Sequence, residues 1–117
     1  MTTTSSSAAE VVSEYFTAFA RGDIAAARQL LWDDLSFKGP LDTFNNADDF
    51  MKAIGALAPI VKGIQQHKVL VDGGDVATFY DMLTPMGNSP IAEWHHVRDG
   101  KIDRIQVYFD PRPFAHP

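Results

Sequence analysis

Between residues 64 and 109 the chain holds four strand-length runs, 64–71, 76–83, 91–98 and 102–109, each rich in β-branched and aromatic residues. Turn residues separate them: Asp72-Gly73-Gly74-Asp75, Pro85-Met86-Gly87-Asn88-Ser89-Pro90, and Asp99-Gly100-Lys101. Asp-Gly between two such runs is a strong hairpin signal, because its glycine accepts the positive φ that tight turns need. The order reads as an antiparallel meander. A meander has an apolar face to bury and needs a second layer to cover it.

The first half supplies that layer. From Ala8 onward, Val11, Val12, Tyr15, Phe16 and Phe19 recur at helical spacing as one apolar stripe. Gly22 closes this helix and Asp23 caps the next, whose apolar positions are Ile24, Ala27, Leu30 and Leu31. Trp32-Asp33-Asp34 is expected to end this pair of helices, and Leu35-Ser36-Phe37 reads as a short strand before Gly39-Pro40. A third helix is expected from near Asn46, with Asp48 and Asp49 favourable in its first turn. It buries Phe50, Met51, Ile54 and Leu57 and stops at Pro59. The class is therefore α+β: three N-terminal helices packed on a curved, mainly antiparallel sheet. Residues 1–7 are expected to form a disordered leader, 8–110 one domain, and 111–117 an irregular tail.

The rest of the composition removes function classes. With 117 residues the chain is one domain by length. It has no cysteine, so disulfides, thiolate zinc sites and a cysteine nucleophile are excluded. The net charge of -5, with basic residues scattered singly, argues against nucleic acid or a membrane surface as partner. No apolar run approaches the roughly 20 residues of a membrane span. The opening residues lack the charged and apolar segments of a secretory signal, so a cytoplasmic location is expected. No His, Asp or Glu spacing has metal-ligand character, and no cofactor is expected.

Alternation divides each strand into two faces. On 76–83 these are Ala77, Phe79, Asp81, Leu83 and Val76, Thr78, Tyr80, Met82. On 91–98 they are Ile91, Glu93, His95, Val97 and Ala92, Trp94, His96, Arg98. On the last strand Ile105, Val107 and Phe109 form the apolar, concave face. A hairpin turning about Met86-Gly87-Asn88 sets Asp81 across from Glu93 or His95, within hydrogen-bonding reach. Neighbouring carboxylates in a poorly solvated place, with an imidazole to share the proton, are suited to acid–base work.

The segment Glu14-Tyr15-Phe16-Thr17-Ala18-Phe19-Ala20-Arg21-Gly22-Asp23-Ile24 resembles the opening of ketosteroid isomerases. So does Trp32-Asp33-Asp34-Leu35-Ser36-Phe37-Lys38-Gly39-Pro40. The ending from Asp99 to Asp110 is similar to the close of SnoaL-like polyketide cyclases. Together these motifs run from about Ala8 to Asp110 and resemble the NTF2-like superfamily. The resemblance implies a cone in which a curved sheet wraps the long helix and leaves a cavity at the wide end. It also implies dimerisation through the outer sheet face. It does not imply one activity, because the fold hosts isomerases, cyclases, hydrolases, dehydratases and non-catalytic subunits alike.

By the same resemblance Phe79, Asp81, Glu93 and His95 face inward. Tyr15 matches the oxyanion-hole tyrosine of ketosteroid isomerases, and Glu93 matches the carboxylic acid kept neutral beside it. The aspartate that removes the proton in that family falls on Gly39, so Asp81 or His95 is expected to supply the base from another wall. Limonene-epoxide-hydrolase relatives carry Arg-x-Asp where this chain has Phe79-Tyr80-Asp81; the arginine is missing, and that chemistry is set aside. SnoaL-like cyclases use an aspartate and a histidine on the last two strands, which makes Asp110 with His95 or His96 the second choice of site.

The expectation is a small cofactor-free protein that binds an apolar carbonyl compound and moves a proton on it, by isomerisation, cyclisation or dehydration. Asp81 and His95 are the base and its partner; Tyr15 and Glu93 donate hydrogen bonds to the carbonyl oxygen. The pocket is expected to be lined by Phe19, Phe37, Phe50, Ile54, Leu57, Phe79, Val107 and Phe109. The rival class is a non-catalytic ligand-binding or dimerisation module, or a cone filled by its own side chains. Plainer readings stand beside each residue: Tyr15 as part of a core stripe, Asp110 as a cap of the tail, Trp94 and Tyr108 as interface aromatics.

Overall fold

The computed structural model describes residues 7–112. The expected leader, apart from Ser7, and the tail beyond Arg112 lie outside the described residues. Ser7 belongs to the domain. Its hydroxyl accepts from the Glu10 N–H at 3.2 Å, and the Glu10 carboxylate accepts from the Ser7 N–H at 2.8 Å. This reciprocal cap satisfies two otherwise orphaned donors at the start of α1 (Ala8–Ala20). Gly22, at φ +74°, turns the chain, and Asp23 caps α2 (Ile24–Gln29) by accepting from the Ala26 N–H.

Next comes β1 (Leu31–Lys38), which takes in Trp32, Asp33 and Asp34 as strand rather than as a helix end. The reason is non-local. β1 runs parallel to β6 (Lys101–Phe109), with Leu31 opposite Ile102 and Phe37 opposite Ile105. A short β2 (Thr43–Phe44) pairs with β1, and α3 (Ala47–Leu57) follows, capped by Asn46. The third helix thus comes after a strand pair, so two helices, not three, precede the sheet. Pro59 falls in a single 3-10 turn (Ala58–Ile60) that ends α3.

The remaining strands are β3 (Gly63–Asp72), β4 (Asp75–Thr84) and β5 (Gly87–Arg98). The sheet order is β2-β1-β6-β5-β4-β3, antiparallel except for the β1 and β6 pair. β5 starts earlier than its apolar run, because the β4–β5 turn is only Pro85-Met86, with Thr84 opposite Gly87. Pro90 therefore lies within the strand. β6 ends at Phe109, opposite Ile91, so β5 is flanked on one side only at Pro90, where a missing N–H is tolerated.

Helix α1 lies against the inner face of the sheet. Val11, Val12, Tyr15, Phe16 and Phe19 are buried, together with Val76, Tyr80 and Met82 of β4 and Ile102 and Ile105 of β6. α3 covers the other end through Phe50, whose ring stacks on Phe37 at 4.7 Å. Burying each such aromatic contributes about 1.5–3 kcal/mol of transfer free energy. The cavity opens between α3, the loop joining β1 to β2, and the inner face of β4, β5 and β6.

Candidate functional site

On β5 the inner face is Ser89, Ile91, Glu93 and His95, all buried, while Ala92, Trp94 and His96 face out. On β4 the inner face is Val76, Thr78, Tyr80, Met82 and Thr84. This reverses the expected parity of β4. A turn about Met86-Gly87-Asn88 pairs Asp81 with Glu93; the shorter turn pairs Asp81 with Pro90 and Glu93 with Thr78. Because side chains alternate, that odd shift in register moves the whole β4 set to the other side. Asp81 and Phe79 are outside the cavity. Asp81 faces the outer side, 3.2 Å from Nε2 of His67 on β3, and Phe79 is exposed.

Tyr80 takes the inward place instead. Its hydroxyl donates to Oε1 of Glu93 at 2.6 Å. The other carboxylate oxygen of Glu93 lies 3.0 Å from Nε2 of His95, off the line of a ring N–H hydrogen bond. Nδ1 of His95 has no hydrogen-bond partner among the described residues. The imidazole is fully enclosed, its ring 5.7 Å from that of Tyr15 and 5.5 Å from that of Phe16. His95 therefore stands behind Glu93 and does not touch the cavity. Tyr15 is buried in the same cluster and is absent from the cavity wall. Burial raises the Tyr15 phenol well above its ordinary value, and the Glu93 charge raises it further. Burial acts likewise on Tyr80, followed by the Glu93 charge and the hydrogen bond to it.

The cavity measures about 410 Å³, within the range of about 300–1,000 Å³ usual for small-ligand sites. Of the expected lining, Phe37, Phe50, Ile54, Leu57, Val107 and Phe109 are in the wall. Phe19 and Phe79 are not: Phe19 is core beneath α1, and Phe79 is on the far face. The polar groups in the wall are Glu93, Tyr80, Ser89 and Asp42, the last exposed on the loop between β1 and β2. Gly39 is also in the wall, and a Cβ there meets the Phe37 ring at 3.3 Å. A side chain at that position presses on the aromatic wall.

Asp110 stands apart from the cluster. It pairs with Arg112 at 2.6 Å, and the Arg112 hydrogen bonds hold its carboxyl down at about 2. His96 faces out and bonds Asp103 at 2.6 Å. The second choice of site, Asp110 with either histidine, is therefore not assembled. Among the described residues no three His, Asp or Glu side chains gather to hold a metal ion, and no helix is long and apolar enough to cross a membrane.

Tyr80, Ser89 and Asp42 are the cavity groups that strand patterning missed. A signal for the first two was present. Thr84-Pro85-Met86-Gly87 has proline second and glycine fourth, the pattern of a tight four-residue turn. Placing the turn there turns Tyr80 inward at once. Asp42 has no comparable local signal.

Comparison with known proteins agrees with this architecture. No curated protein matches the chain. An NTF2-like protein of unknown function from Cytophaga hutchinsonii has a similar structure, with a TM-score of 0.84 and 26% identity over 97% of this chain and 98% of that one. A steroid delta-isomerase from Pseudomonas aeruginosa is similar at TM-score 0.76 and 20% identity, covering 89% and 80%. An LEH-like epoxide hydrolase from M. tuberculosis is similar at TM-score 0.75 and 19% identity, covering 91% and 84%. At those identities the last two likenesses concern the fold. The family model described as the SnoaL-like domain matches residues 12–105, so the chain belongs to the SnoaL-like domain family of the NTF2-like fold.

Proposed function

We propose that the cavity binds a small apolar carbonyl compound and that Glu93 transfers a proton on it. The observation that carries this reading is one buried carboxylate, Glu93, 7% exposed, set in an apolar wall and gripped by a buried tyrosine. As a base, Glu93 takes the proton from the carbon next to the carbonyl. The C–H electron pair moves into the enolate, leaving negative charge on oxygen. As Glu93 loses its charge, the hydrogen bond from Tyr80 weakens, and that hydroxyl becomes free to donate to the new oxyanion. Return of the proton to a different carbon completes an isomerisation. His95 and Tyr15 stand behind Glu93 and close off that side from water.

Asp81 cannot be the base, since its side chain lies on the other face of the sheet. The test is ring opening of nitrobenzisoxazole, an apolar carbon acid. A carboxylate takes its C–H proton, the electron pair forms the nitrile, the N–O bond breaks, and a coloured phenolate leaves. Wild type is expected to catalyse this. Glu93→Gln is expected to lose about a hundredfold or more. Undiminished turnover in that variant, or probe binding with no turnover in wild type, refutes the reading and leaves a binding module.

A further inference from the structure

Ser89 is a buried polar residue, 9% exposed, on the inner face of β5 and in the cavity wall. Its hydroxyl makes no side-chain hydrogen bond among the described residues. Thr84 nearby differs: its hydroxyl donates to the Gly87 carbonyl and accepts from the Met86 N–H, so the turn consumes it. Ser89 and Glu93 are four residues apart on one face of one strand, which separates their Cα atoms by about 13 Å. Between them stands Ile91, flanked by Tyr80 of β4 and Phe109 of β6. The wall therefore runs from a polar end, through an apolar middle, to a second polar end.

We propose that Ser89 determines specificity by bonding a second polar group on the ligand, far from the carbon that gives its proton to Glu93. This rests on the reading of Glu93 given above and narrows the substrate class. The compound is slender and apolar through its middle, with a hydroxyl or carbonyl at the end opposite the reacting carbonyl. A short ligand with one polar end leaves Ser89 facing apolar surface. An elongated two-headed one satisfies it.

The probes are para-phenylbenzaldehyde and its analogue bearing a hydroxyl at the far para position, with dissociation constants from titration calorimetry. Wild type is expected to bind the hydroxylated probe about fivefold tighter, the order of one hydrogen bond formed out of water. Ser89→Ala is expected to erase that preference, bind the plain aldehyde as wild type does, and melt at the wild-type temperature. Equal affinity of wild type for both probes overturns the proposal, as does a preference that persists in Ser89→Ala or failure of either probe to bind. Glu93→Gln run alongside separates the two ideas. If probe binding and elimination depend on Glu93 while the preference is absent, only the role of Ser89 falls. If the preference is present while elimination ignores Glu93, only the proton-transfer reading falls.

Discussion

An acid stands beside a histidine on both faces of the β4–β5 hairpin, at nearly the same distance and in opposite surroundings. Inside, Glu93 and His95 are 3.0 Å apart and almost wholly enclosed; outside, Asp81 and His67 are 3.2 Å apart with the imidazole half exposed. Water screens the outer pair, and exposed ion pairs are worth about 0–1 kcal/mol. The inner pair lies where the effective dielectric is lower and each unmet hydrogen bond costs more. Separation alone thus says little about function. Enclosure, the Tyr80 donor and an adjoining cavity are what set Glu93 apart.

Substitution on the two faces breaks or sharpens this contrast. The largest effect is expected from activity on nitrobenzisoxazole: Glu93→Gln loses about a hundredfold or more, while Asp81→Asn stays within about twofold of wild type. Comparable losses in both variants erase the distinction between the faces.

Alkaline stability comes next. Tyr15 and Tyr80 have phenols raised by burial and by Glu93. Their raised folded values mean that their contribution is complete below the unfolded value near 10 and is lost as pH climbs from there toward the folded values. Denaturant melts are expected to show stability falling by up to about 1.4 kcal/mol per pH unit for each of the two. Native-state absorbance should show no phenolate from either residue in that window. An early phenolate signal that disappears in Tyr80→Phe contradicts the enclosure described for the inner face.

Smaller again is the cost of Tyr80→Phe at neutral pH. Removing the donor leaves a buried carboxylate oxygen unmatched, for about 1–3 kcal/mol by urea denaturation. An unchanged midpoint means that the Glu93 oxygen finds another partner. The smallest effect is on the outer face. Burial opposes ionisation of Asp103, but hydrogen bonds from His96 and Arg98 outweigh it and hold its carboxyl below the ordinary value. That depressed value adds stability above the unfolded value near 4, lost as pH falls. Asp103→Asn is expected to cost under about 1 kcal/mol at neutral pH and to flatten the acid limb of stability against pH. A larger loss marks the outer network as structural.

Much of the fold was legible because its signals are local. The α1 stripe, the Asp23 cap, the Asn46 start of α3 and the Asp-Gly turns each act within a few residues. Ser7 was put in the leader although it caps α1, a role that Ser-x-x-Glu ahead of an apolar run could have signalled. β1 was shortened because its partner, β6, lies some seventy residues away, and nothing near Trp32 announces that pairing. The site was half legible. Glu93 and His95 were placed on the inner face and lie there, but Asp81 was put with them through one misplaced turn. In a period-two structure such an error cannot remain local.

Composition and periodicity were enough to specify the three helices, the four long strands that end the chain, and which face of β6 is apolar, since each depends on short-range sterics and hydrophobic spacing. The rest had to wait for the folded chain. Which of several carboxylates loses its water depends on how β4 registers on β5, and whether a hollow remains depends on how α3 and the loop joining β1 to β2 stand over the inner face. Both are sums over contacts between residues far apart in the chain, which no local window contains.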